Sequence, residues 1–274
     1  ASYAGNTYAF TVRASYSGLA YVDPQPRRTK DSNYNALKFF QGPSWRTRLH
    51  IVVKSDAAAE ITEAVKELGW HPEPSLANKW PHNATHERFV GTLKSVTRAV
   101  MLQSGAPETA WDLAINYAAT AYSATALALI LPSDRDGSKE LLPTSAWKVK
   151  STIWYAHHGN NFSGPLQPFG RLCYYQDTTG HTLMAQASPA LFVGWKIESG
   201  MRYRGVLLVL DFRSAKAGRF ALHACKTVYE QEVFFPPTVD FPFAEARLVA
   251  TAQWVWLKNH LTLLQLTYPS SKRL

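Results

Sequence analysis

One stripe of apolar residues constrains this chain before anything else does. Phe89, Leu93, Val96 and Val100 recur at intervals of three and four, so a helix over about 84–103 buries one face. The segment leading into it, His82-Asn83-Ala84-Thr85-His86-Glu87-Arg88, puts a carboxylate and a guanidinium at the helix mouth. Glu87 falls in the first turn, where the positive end of the helix dipole favours its ionised form. Asp56 closes the apolar run Leu49-His50-Ile51-Val52-Val53-Lys54-Ser55 further upstream. An acid at a strand end and another at a helix start can converge on one ion, although a chain of this size holds many such pairs.

Around these two acids the pattern alternates strand and helix. Residues 7–13 and 18–23 read as a hairpin, which Pro24 and Pro26 end. Asp31 or Ser32 caps a helix that runs to about Gln41 and stops at Gly42-Pro43. Residues 48–54 form a buried strand. Residues 58–68 form a helix with Ile61, Val65 and Leu68 inward, and Gly69 caps its C-terminus. Trp70-His71-Pro72-Glu73-Pro74 is a short extended piece, because two prolines exclude helix. Trp70 and Trp80 read as packing residues. A second long helix is expected over 108–130, with Trp111, Ile115, Ala118, Tyr122 and Leu129 inward. Residues 132–165 have the composition of a connector, with a short helix near 147–155. Beyond it 171–176, 190–196, 206–212 and 228–235 are β-rich, with Phe169, Phe192 and Trp195 expected in their core. Residues 241–274 read as an amphipathic, Trp- and Leu-rich segment fit to dock on a protein partner.

Composition narrows the function classes. The formal net charge is +9, which suits a polyanionic partner, most simply nucleic acid. The basic residues are scattered and make no basic tail. The two cysteines, Cys173 and Cys225, are too few for a disulfide framework and read as buried, inert thiols. No Cys/His set has zinc-finger spacing. No apolar run approaches the length of a membrane span, and no signal peptide is evident at the start.

The order Ser55-Asp56, helix, Pro/Asn-rich loop, Glu87-Arg88, Thr92-Leu93, Arg98, Ser104-Gly105-Ala106-Pro107 and Trp111 resembles the catalytic core of copia-type retrotransposon integrases. Gly5-Asn6-Thr7-Tyr8-Ala9-Phe10-Thr11-Val12, Tyr16-Ser17-Gly18 and Tyr21-Val22-Asp23-Pro24 are similar to that core's second and third strands. Pro168-Phe169-Gly170-Arg171-Leu172-Cys173-Tyr174-Tyr175 and Phe192-Val193-Gly194-Trp195 are similar to the SH3-like module that follows the core in such polyproteins. The resemblance implies an α/β fold: an RNase H-like integrase core lacking its first strand, plus a small SH3-like β-barrel domain. Its boundaries would be 1–131 for the core, 132–164 for a connector, 165–238 for the β domain and 239–274 for the C-terminal segment.

The resemblance also assigns chemistry. Asp56 and Glu87 take the places of the second and third catalytic acids, which hold Mg²⁺ or Mn²⁺ in integrases. The first acid is expected on a strand upstream of residue 1, since 1–22 contain no Asp. Ala57 and Ala84 stand where the family has Asn and Gly. Lys54, Lys79, Arg88, Lys94 and Arg98 are the candidate contacts to a DNA or RNA backbone. The expected protein is therefore integrase-derived and nucleic-acid-binding, catalytically incomplete as it stands, intracellular and nuclear. Two alternatives remain open: a structural subunit of a large ribonucleoprotein assembly, and an active polynucleotidyl transferase whose longer parent supplies the first Asp.

Overall fold

The computed structural model describes residues 1–43, 50–75, 84–130, 148–176 and 186–244. Tyr8–Arg13 (β1) and Ala20–Gln25 (β2) form an antiparallel hairpin. β2 runs through Pro24 to Gln25 rather than stopping at the proline. It is an edge strand, and an edge tolerates a residue without an N–H. Lys30–Gln41 (α1) starts earlier than Asp31 or Ser32 would allow as caps. Thr29 is the cap instead, its Oγ1 accepting the Ser32 N–H at 3.1 Å.

Val52–Ser55 (β3), Ala59–Glu67 (α2) and His71–Pro74 (β4) make a strand–helix–strand unit in which β3 and β4 are parallel, as a helical crossover permits. Gly69, at φ 74°, ends α2, and the Trp70 N–H returns to the Val65 carbonyl. Trp70 is buried with Leu37, Ala64, Val65 and Leu68, which is the packing role expected of it; Trp80 lies outside the described residues. Phe10 and Val12 of β1, and Ile51 and Val53 at β3, border the same cluster. β1 and β3 thus lie against one helical layer. Among the described residues, however, β1 pairs with β2 alone and β3 with β4 alone.

Ala84–Ser104 (α3) and Trp111–Thr125 (α4) follow. At the turn between them Gly105 has φ 70°, and an added Cβ would lie 2.3 Å from the Phe243 backbone, so no side chain fits. One side of α4, with Ile115, Ala118 and Ala119, packs on β2 and on Phe89 and Leu93 of α3. Its other side, with Ala110, Leu113 and Ala114 around its start, packs on Phe169, Leu191, Val193 and Leu210. The helix is shared between two cores.

The expected 108–130 helix is interrupted at both ends. Glu108–Ala110 is a single 3₁₀ turn, and α4 stops at Thr125. Leu127–Ile130 is a strand (β5), paired antiparallel with Lys148–Thr152 (β6). A four-residue apolar run does not distinguish strand from helix by periodicity, and here cross-strand pairing decides it. The short helix expected near 147–155 is displaced in the same way. It becomes Ile153–His158 (α5), capped by Thr152, whose Oγ1 accepts the Tyr155 N–H at 3.2 Å.

His158 at the end of α5 packs on Trp154, ring centroids 4.5 Å apart. Burial, and then the adjacent His157, push its pKa down to about 4. The folded ring is neutral and takes up a proton on unfolding. Its contribution is therefore present above about pH 6.5 and is lost as pH falls towards 4. A His158→Phe variant is expected to lose less thermal stability than the parent between those two pH values. Equal losses would assign the titration to other groups.

The remaining strands form one sheet. Leu172–Gln176 (β7), Ala187–Glu198 (β8), Arg202–Asp211 (β9), Cys225–Tyr229 (β10) and Val233–Phe234 (β11) lie in the order β10-β9-β8-β7-β11, all antiparallel. β10 and β11 sit at opposite edges, yet only the 3₁₀ turn Glu230–Glu232 joins them, so the sheet bends sharply on itself. The edges do not pair with each other, and the sheet is not a closed barrel among the described residues. Phe169, Phe192 and Trp195 are buried as expected. Burial raises the thiol pKa of Cys173 and of Cys225 to about 12, which leaves both unreactive at neutral pH.

Candidate functional site

Local sequence places each expected acid at the end of an element. The strand β3 ends at Ser55, and Asp56 follows it, exposed, in the turn before α2. α3 starts at Ala84, which puts Glu87 in its first turn, also exposed. The two acids act on a common neighbour, His86. Its Nε2 lies 2.9 Å from the Thr11 Oγ1 of β1, and its ring lies 6.1 Å from that of Phe89. Burial holds the His86 pKa below its ordinary value, and the Arg13 guanidinium lowers it further. The charges of Asp56 and Glu87 work in the opposite sense. One imidazole thus links β1, the end of β3 and the start of α3.

Neither Thr11, Arg13 nor His86 stands out in sequence as a site residue. Arg13 lies over the Phe89 ring, 5.4 Å from its centroid, and its buried Nε finds no hydrogen-bond partner among the described residues. His86 lies beside Glu87 in the motif, but its partner Thr11 is 75 positions away, and no local pattern announces such a pair.

The basic candidates divide. Lys94 and Arg98 are exposed on α3, and with Glu87 they follow the helical spacing of seven and four that keeps residues on one side. Arg88 is exposed beside them. Lys54 is exposed on β3 but is engaged, its Nζ 3.3 Å from a Glu73 carboxylate oxygen. That pair is open to solvent on both sides, so it is weak and exchangeable. Lys79 lies outside the described residues.

Mg²⁺ and Mn²⁺ want several oxygen ligands around each ion, and a bridged pair wants a third acid. Among the described residues no group of three or more His, Cys, Asp or Glu is placed to hold an ion. Two exposed acids beside one half-buried imidazole do not fit a bridged metal pair.

No protein-family model matches the chain, and no curated protein matches it. Among solved structures, a chain of the simian T-cell lymphotropic virus intasome, determined by cryo-EM in complex with the PP2A regulatory subunit B56 gamma, is similar. It is 14% identical with a TM-score of 0.32, over 83% of this chain and 72% of that one. No described helix is long and apolar enough to cross a membrane.

Proposed function

We propose that this is an integrase-derived protein of RNase H-like descent that keeps a polynucleotide-binding face and, within residues 1–274, two of the three catalytic acids. The observation that carries this reading is the convergence of Asp56 and Glu87 on His86. The β1–β2 hairpin, the strand that ends before Asp56 and the helix opened by Glu87 follow one another in the order that the copia-type resemblance requires, and His86 interacts with residues of β1 and with both acids. Among the described residues β1 and β3 each pair on one side only, which leaves an edge of each open to a further core strand. The bent sheet, with a 3₁₀ turn joining its two edge strands, supports the SH3-like assignment of the β-rich part. The role fits a basic chain acting on DNA in the nucleus: Arg88, Lys94 and Arg98 would hold phosphates beside two acids too few to cut them.

The test is a nicking and strand-transfer assay on purified 1–274 with Mg²⁺ or Mn²⁺, run beside a DNA-binding titration. No metal-dependent product above background is expected, together with weak, sequence-independent binding. Robust cleavage abolished by Glu87→Gln would contradict the catalytic half of the reading. The competing reading, a structural subunit in a larger assembly, draws on exposed apolar residues near β10 and β11, namely Tyr229, Phe234 and Val239. It requires a protein partner there and no DNA binding at low salt.

A further inference from the structure

A cavity of about 470 Å³ lies between β2, α4 and the strands β8 to β10, and shares no residue with the Asp56–Glu87 face. That size is typical of sites for small organic molecules. Two aromatic pairs contribute to its walls. Tyr21 of β2 stacks on Phe39 of α1, centroids 5.1 Å apart, and Tyr117 of α4 stacks on Trp195 of β8 at 5.2 Å with 13° between the planes. The polar tips of the second pair are already satisfied: the Tyr117 hydroxyl donates to the Gln167 carbonyl, and the Trp195 Nε1 to the Pro165 carbonyl. This pair therefore offers the cavity its π surface rather than its hydrogen bonds.

Beside Tyr21, β2 turns Asp23 into the same space. Its Oδ2 accepts from Gln25 Nε2 at 2.9 Å and its Oδ1 from the Tyr21 hydroxyl at 3.4 Å. Among the described residues no cation pairs with it. Burial pushes its carboxyl above the ordinary range. A second acid on the cavity, Asp112, is buried but already compensated. Asn6 Nδ2 donates to it at 2.9 Å, the Leu113 N–H donates at 2.9 Å, and it stands in the first turn of α4. In a chain of net charge +9, this cavity gathers acids and aromatic faces.

We propose that the cavity is a binding site for an organic ammonium ion with a planar apolar body, its charge against Asp23 and its body against the Tyr21 and Tyr117 rings. Aromatic faces attract cations through the ring quadrupole, and a half-desolvated carboxylate without a counter-ion gains most from one. Lys196 also borders the cavity, with its side chain exposed, and its charge opposes such a ligand.

The probe is 2-phenylethylammonium, titrated into the full chain by NMR against its uncharged counterpart 2-phenylethanol. The cation is expected to shift the ring signals of Tyr117 and to bind about tenfold or more tighter than the alcohol. Asp23→Asn keeps an oxygen to accept from Gln25, while its amide N–H can donate to the Tyr21 hydroxyl, and it should weaken the cation by about tenfold with the alcohol unchanged. Lys196→Met should tighten the cation, a change that loss of fold cannot produce. Equal affinities for cation and alcohol, an Asp23→Asn variant that binds as the parent does, or no ring shift up to about 10 mM would each overturn the assignment.

Discussion

Replacing Phe192 with Ala is expected to cost about 3–5 kcal/mol of folding stability and to lower the melting temperature by on the order of 10 °C. The side chain is fully buried. Its ring meets three others at their edges: Trp195 at 5.3 Å, Phe235 at 5.6 Å and Tyr117 at 6.3 Å. A close-packed interior fills such a gap poorly, so the lost contacts are not regained. The expected effect also reaches beyond the sheet. Tyr117 belongs to α4, and the opposite side of α4 carries the β1–β2 hairpin and α3. Both halves should therefore melt in one transition, and the variant should shift all of it. Two separate transitions, with the one reported by Trp70 unmoved by Phe192→Ala, would show that α4 does not couple them.

The double burial of α4 also shows what the sequence hides. One stripe, Trp111, Ile115, Ala118 and Tyr122, has clear helical spacing and was legible. The second face is built on Ala110, Ala114 and Ala121 around Leu113 and Tyr117. Small residues carry little periodic signal, and a helix buried all round loses its amphipathic contrast. The 127–130 strand was illegible for a related reason: four apolar residues satisfy either period, and the partner that decides it begins at Lys148. The extended piece at 71–74 and the cap at Gly69 were legible because Gly and Pro restrict the backbone locally, whereas the parallel pairing of that piece with β3 was not.

Of the candidate site, the positions of Asp56 and Glu87 could be read from element boundaries. What joins them could not. Thr11, Arg13 and His86 meet only once β1 lies against α3, and residue types as common as these carry no signal until they are neighbours. The cavity beside Asp23 was hidden by the same kind of distance, since β2, α4 and β8 contribute its walls from three separate parts of the chain.

The salt dependence of DNA binding tests the polynucleotide-binding face most directly. Five cations, Lys54, Lys79, Arg88, Lys94 and Arg98, each on one phosphate, give a slope of log K against log salt of about −4.5 on duplex DNA. Between about 50 and 200 mM salt that slope is a loss on the order of 500-fold in affinity. Lys54 must exchange Glu73 for a phosphate to take part, which an exposed pair allows. Replacing Arg88, Lys94 and Arg98 together by Ala should bring the slope to about −1.8 and weaken binding at every salt concentration. Asp56→Asn with Glu87→Gln should leave the slope unchanged and the affinity equal or slightly higher, because it removes negative charge from the face. A slope that the triple substitution does not change, or no binding at about 50 mM salt, would contradict a DNA-binding face at the mouth of α3.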